Sequence, residues 1–194
     1  IIGTIIAYIA AYNTARLKGK FSKIIHIFTI LSLAIPGIVL GLSYTIGFSG
    51  SFIYNTFIIL ILVNIIHFIA SPYLMAYNAL QKVNPNFEAV AKTCNIPLFK
   101  LICNVIIPCT KKTIREMFAY FFVNSMVTIS AVTFLFNVDT MPLSLLINNY
   151  ENTMMLGEAA IVSLIILIFN LLIKGIIYFI NRIEHRRGEM NGIN

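Results

Sequence analysis

Apolar residues run along this chain in long unbroken stretches rather than in alternation. Five runs stand out, at 1–12, 24–48, 52–80, 117–136 and 156–180. Half-buried strands would alternate at period two, and these do not. The four longer runs each hold the roughly 20 residues that a helix needs to cross about 30 Å of hydrocarbon. Run 1–12 is too short to cross and reads as the end of a span that begins upstream. In lipid only helices and closed barrels satisfy their backbone groups, so the pattern predicts an all-α polytopic bundle of about five membrane helices.

Composition agrees and narrows the class. Residues of the set AVILMFWYC make up 59 % of the 194 and charged residues 11 %, against about 45–50 % and 25 % in soluble domains. A soluble fold of this size has too little interior for so much apolar surface, which excludes a soluble enzyme, a disordered tail and a disulfide-rich scaffold. Net charge is +7, which in a soluble chain would suggest nucleic acid as a partner; the placement of the cations removes that reading. Arg16, Lys18, Lys20 and Lys23 follow the first run. Lys82, Lys92, Lys100, Lys111, Lys112 and Arg115 lie between the third and fourth, and Lys174, Arg182, Arg186 and Arg187 close the chain. The connections 49–51 and 137–155 carry no cation, the second holding only Asp139 and Glu151. Five alternating helices put every cation at or near one face. By the positive-inside rule that face is cytoplasmic, with the start of the chain outside and a tail at 184–194 inside.

Cys94, Cys103 and Cys109 form no CxxC pair, and His26, His67 and His185 fall in unrelated segments. No metal site is expected, and the cysteines are expected as reduced thiols packed like small apolar side chains. The missing initiator Met and short first run suggest the C-terminal part of a longer polypeptide, with no signal peptide visible.

Within the spans, Pro36 and Gly37 interrupt the second run at mid-membrane, where Pro removes an amide donor and predicts a kink. Gly37 and Gly41 repeat at small-xxx-small spacing, so a hinge and plain close packing both remain open. Tyr120, Asn124, Thr128 and Ala131, with Ser125 alongside, form a small and polar stripe at helical spacing. Asn124, Ser125 and Thr128 either line a solute path or bond neighbouring helices. Asn64 and His67 read as interhelical bonds, and Glu158 as a complement to the outer N-terminus of the last helix. A fixed charge at mid-depth would cost about 2.5–3.5 kcal/mol on insertion, and no cation lies there.

The segment 84–108 is different in kind. Asn84 followed by Pro85 is a helix start, Glu88 falls near the positive end, Asn95 suits a left-handed terminator and Pro97 prevents continuation. A helix over 85–94, two to three turns long, is too short to stand alone. It needs something to pack on.

Here the chain resembles the permease family of ATP-binding-cassette importers, whose signature reads E-A-A, three residues, G, nine residues, I-x-L-P. Aligned on Pro108, Ile107 takes the Leu place, Val105 the Ile place and Asn95 the Gly place. Val90 and Ala91 take the alanines, and Ala89 the glutamate place, with Glu88 one residue early. Segments 33–41, 122–131 and 158–160 look like the iron(III) and 2-aminoethylphosphonate branch, the phosphonate permeases most of all. The resemblance implies a type I importer permease core at 1–183 in a bacterial plasma (inner) membrane, with 84–108 as a cytoplasmic coupling segment. It implies a second permease core (fused or separate), cytosolic ATP-binding subunits and an extracytoplasmic solute-binding protein as partners.

In that scheme the short helix docks on an ATPase subunit. Phe87 is the apolar anchor, Glu88, Lys92 and Asn95 supply polar contacts or cap geometry, and Ala89, Ala91 and Pro108 complete the motif. Phe87 packing on this protein's own helices is the competing reading. ATP and Mg belong to the partner: the chain has no G-x-x-x-x-G-K-[ST] loop, no cofactor is expected, and it is not expected to be an enzyme. The solute implied is 2-aminoethylphosphonate or a related phosphonate, with iron(III) or another small solute as the alternative. An ion-coupled secondary transporter would need titratable groups at the midplane, where His67 stands nearly alone. An intramembrane enzyme would need a nucleophile–base pair or metal constellation, and none is evident.

Overall fold

The computed structural model describes residues 1–17 and 19–190. Lys18 and residues 191–194 of the expected tail lie outside the described residues, as do the side chains of Asp139, His185 and Arg187. Among the described residues there is no strand. The helices are α1 (Ile2–Arg16), α2 (Lys20–Leu31), α3 (Gly37–Phe48), α4 (Phe57–Phe68), α5 (Ala70–Lys82), α6 (Asn86–Thr93), α7 (Leu98–Leu101), α8 (Ile107–Val127), α9 (Leu143–Asn152) and α10 (Leu156–Met190). Tight 3₁₀ turns at Ser32–Ala34 and Val138–Thr140 and a π-helical stretch at Ile102–Ile106 join them.

The apolar runs become helices, but among the described residues only one is a single uninterrupted helix long enough to span. Residues Leu156–Glu184 of α10 are long and apolar enough to cross a membrane. Two pairs, Lys20–Ala34 with Gly37–Phe48 and Phe57–Phe68 with Ala70–Lys82, meet the same test only when each pair counts as one broken span. Pro36 therefore makes a break, not a kink: the 3₁₀ turn ends at Ala34, Pro36 is extended at φ −60° and ψ 138°, and the helix restarts at Gly37.

The run 117–136 departs furthest from expectation. Its helix begins ten residues early at Ile107, includes Lys111, Lys112, Arg115 and Glu116, and stops at Val127. Beyond it Thr128 and Ile129 are β-branched and weak helix formers. The chain closes into turns, Val132 N–H to Ile129 C=O at 3.2 Å and Leu135 N–H to Val132 C=O at 3.0 Å. Those turns bury Ala131, Val132 and Leu135 completely. Burial of three apolar side chains outweighs continuation of the helix. At the other end of the chain, α10 continues through Met190.

The chain divides into two compact units, Ile1–Ala34 with Phe68–Phe118, and Ile35–His67 with Ala119–Asn194. In the first, α1 packs on α5. Its inner face, Thr4, Ala7, Tyr8, Ala11 and Tyr12, has three-four spacing, and α5 presents Ala70, Tyr73, Ala76 and Leu80. Alanines on both sides allow close approach where lipid provides no hydrophobic drive between helices. Thr4 Oγ1 is buried here without a hydrogen-bond partner, but two other polar clusters are paired. The Tyr73 hydroxyl donates to Thr14 Oγ1 at 2.8 Å, which leaves His26 Nδ1–H to donate to it at 2.5 Å. Thr110 Oγ1 gives its proton to the Ile106 carbonyl at 2.9 Å and so accepts from Tyr8 at 2.7 Å. This second bond ties α1 to the start of α8.

In the second unit, Leu40, Ile59, Leu60, Val63, Ala131, Val132, Leu135 and Leu145 form the core. The pair Gly37 and Gly41 explains how 130–131 fits. A β-carbon on Gly41 would lie 2.6 Å from the Ala131 carbonyl oxygen, and one on Gly37 would meet the Ser130 hydroxyl and the His67 ring. Close packing is the observed use of these glycines. Helix α9 packs on α10, whose outer surface (Ile161, Leu164, Leu167, Leu171 and Phe179 among others) is uncovered. A helix apolar nearly all round requires lipid or another apolar chain against it.

Candidate functional site

The segment after α5 folds locally much as its residues dictate. Asn84 Oδ1 accepts the Asn86 amide at 2.9 Å, the bond an N-cap makes, and Pro85 is already in the right-handed helical region. The helix runs from Asn86 to Thr93, one residue inside the expected 85–94 at each end. Asn95 takes φ +54°. Its amide donates to Lys92 C=O at 3.2 Å, and the Ile96 amide to Ala91 C=O at 2.8 Å. These are the two bonds of a Schellman ending, with Asn in the place usually held by Gly. Pro97 then starts α7, which runs through the π-helical stretch into α8. Widening at Ile102–Ile106 falls where the ring of Pro108 would otherwise meet the carbonyl four residues earlier.

The two faces of α6 are unlike. Ala91 is buried and Glu88 points inward. Phe87 is 40 % and Val90 55 % exposed, and Ala89, Lys92 and Cys94 are exposed beside them. Phe87 divides its surface: one side lines a cleft of about 600 Å³ with Met75, Lys82, Thr110 and Lys112, and the rest faces outward. Phe87 thus packs in part on the protein's own helices and in part faces outward. Apolar exposure continues past the helix at Ile96, Leu98 and Phe99, residues that pattern reading missed because no periodicity singles them out in so short a stretch.

Glu88 is not available on the outer surface. Its Oε1 lies 3.0 Å from Arg16 Nε, with side-chain exposures of 23 % and 7 %. The two meet as an ion pair without an aligned N–H···O bond. Arg16 Nη2 also donates to the Asn84 carbonyl at 3.4 Å. Sequence reading placed Arg16 only among the topogenic cations. A signal was present: Glu88 is the first acidic residue of the chain.

The stripe on α8 is distributed differently. Asn124 Nδ2 donates to Tyr120 C=O at 2.8 Å, and Ser125 Oγ to Phe121 C=O at 2.6 Å; Ser125 is exposed and Asn124 half-buried. Thr128 is buried and lies past the helix end, and its carbonyl accepts Ser144 Oγ at 2.6 Å. Asn64 donates to Leu60 C=O on its own helix at 2.8 Å, so this bond is not interhelical. Cys94, Cys103 and Cys109 are all exposed, contrary to their expected packing, because they fall on outer faces of segment 84–108 and α8. Among the described residues no three His, Cys, Asp or Glu gather as metal ligands.

A family model described as "Binding-protein-dependent transport system inner membrane component" matches residues 3–183. The putative ferric transport system permease protein FbpB 1 of Haemophilus influenzae is 28 % identical over 140 residues, which covers 71 % of this chain and 22 % of that protein. The ferric transport system permease protein FbpB of Actinobacillus pleuropneumoniae is 28 % identical over 142 residues, 72 % of this chain and 20 % of that protein. The chain thus spans about a fifth of the length of these curated relatives.

Proposed function

Because the chain belongs to the inner-membrane components of binding-protein-dependent transport systems, a family of transport components rather than enzymes, we propose that it is a permease core of an ATP-driven importer coupled through α6 to a separate ATPase subunit. The observation that carries this is the two-sided character of α6. It is a helix capped at both ends and held inward by Glu88, and it presents Phe87 and Val90 outward at an i, i+3 spacing. Exposed apolar side chains on a short polar helix call for a partner surface, and a rigid capped helix transmits displacement without unfolding.

In this reading 84–108 is the coupling segment of a membrane core at 1–183. Phe87 and Val90 enter a groove on the ATPase subunit, with Lys92 beside them. Asn95 sets the helix end, and Glu88 acts from behind. The cationic ends face the cytoplasm, ATP and Mg act on the partner, and an extracytoplasmic binding protein delivers solute to this core and a second one. The solute is iron(III) rather than a phosphonate; the printed names of the two relatives support that choice, where sequence reading had leaned the other way. Asn124, Ser125 and the broken backbone at Thr128 supply neutral oxygens along the path. Pro36 and Gly37 mark a break that can accommodate movement.

Cys94 gives the test. In membranes holding the complete transporter, it is cross-linked to ATPase subunits bearing single surface cysteines. A nucleotide-dependent cross-link is expected. No cross-link under any nucleotide condition, with Cys94 reactive to small thiol reagents, would reject the docking.

A further inference from the structure

Arg16 lies outside the signature segment 84–108, yet it is a well-buried cation in contact with α6. Its side chain is 7 % exposed, its Nε meets Glu88 at 3.0 Å and its Nη2 reaches the Asn84 carbonyl at 3.4 Å. The two contacts fall on the cap of α6 and on its third residue. Arg16 also ends α1, where a cation complements the helix C-terminus, and α1 is anchored on α5 and bonded through Tyr8 to Thr110 of α8.

An eight-residue helix cannot fix its own stance. Its covalent connections, at 83–85 toward α5 and 94–97 toward α7, set where it sits. Of its own side chains the small Ala91 is buried while Phe87 packs on one side only, so rotation about its axis needs a further hold. An ion pair on the inner face fixes that rotation and keeps Phe87 and Val90 outward. We infer that Arg16 is the positioning residue of the coupling helix, and that displacement applied to α6 passes through the Arg16–Glu88 pair directly into α1. The inference rests on the docking of α6 proposed above. It assigns Glu88 to the internal strut, leaving the ATPase to contact the apolar face.

The complete transporter, with ATPase and binding protein in membranes, is assayed for solute moved per ATP hydrolysed, for membrane abundance and for Cys94 cross-linking. Removing one partner leaves the other charge uncompensated in a shielded position. Arg16→Gln is therefore expected to lower solute moved per ATP about tenfold while the chain stays inserted and Cys94 still cross-links. Arg16→Lys should keep more than about half of the ratio, since the charge remains. The exchange Arg16→Glu with Glu88→Arg should return to within about threefold of the parent, while each single change does not. An unchanged ratio in Arg16→Gln overturns the inference, as does loss of transport only in step with abundance, or an exchange no better than its worse single variant. If Cys94 of the parent cross-links normally and the ratio does not respond, Arg16 alone is misassigned. If the parent never cross-links, the docking itself falls and the inference with it.

Discussion

Two regions of this molecule satisfy buried backbone and polar groups by opposite means. In the unit that holds α3 and α4, fit is steric: Gly41 lies against the Ala131 carbonyl, Gly37 against Ser130 and His67, and the hydroxyl and amide of Ser125 and Asn124 bond back to their own helix. Around α6 in the other unit, fit is electrostatic and sparse. One ion pair and one long hydrogen bond tie a short helix to α1, and its other face is left apolar and uncovered. A sterically fitted seat resists change and fixes one arrangement. A helix held by two polar links and exposed on its far side is suited to passing force to something else.

The contrast can be broken by substitution, taking the largest effect first. Gly41→Val should destabilise by about 1–3 kcal/mol through overpacking, read as a lower thermal midpoint in detergent together with reduced membrane abundance, because the opposing atom is backbone and cannot swing away. A wild-type midpoint would refute the tight seat. Asn95→Val should cost about 1–2 kcal/mol locally, the penalty of a left-handed residue with a branched β-carbon, and should reduce uptake with little change in abundance. Asn95→Gly should be close to neutral in the same assays, and equal uptake in both variants would argue against the Schellman ending as a requirement for coupling. Gly37→Ala should cost less than Gly41→Val, under about 1 kcal/mol, since the hydroxyl of Ser130 and the ring of His67 can rotate. Gly47→Ala meets nothing within 4 Å and should shift the midpoint upward by a few tenths of a kcal/mol, if at all.

Legibility in the sequence followed the range of the interactions. The α6 caps are local, so Asn84, Asn95 and Pro97 announced them within a residue or two. The all-helical class followed from run length alone. The break at Pro36 was half legible: the missing donor marks the place, but whether a helix bends or stops depends on what packs there. The end of α8 at Val127 was not legible, because the burial of Ala131, Val132 and Leu135 that stops the helix comes from Leu40, Ile59 and Val63 far away in the chain. The Arg16–Glu88 pair spans 72 positions, and pattern alone gives no way to choose Arg16 over the neighbouring cations. The exposure of the three cysteines was missed for a related reason: small apolar character says nothing about which helix face a residue occupies.

The most direct measurement uses a transporter whose only remaining cysteine among these three is Cys94, with Cys103 and Cys109 changed to Ser, and an impermeant thiol reagent. Cys94 should stay unlabelled in intact cells, label readily in inside-out vesicles stripped of ATPase subunits, and become protected when those subunits are added back. Labelling from outside intact cells, or equal labelling with and without the ATPase subunits, would contradict a coupling helix on the cytoplasmic face.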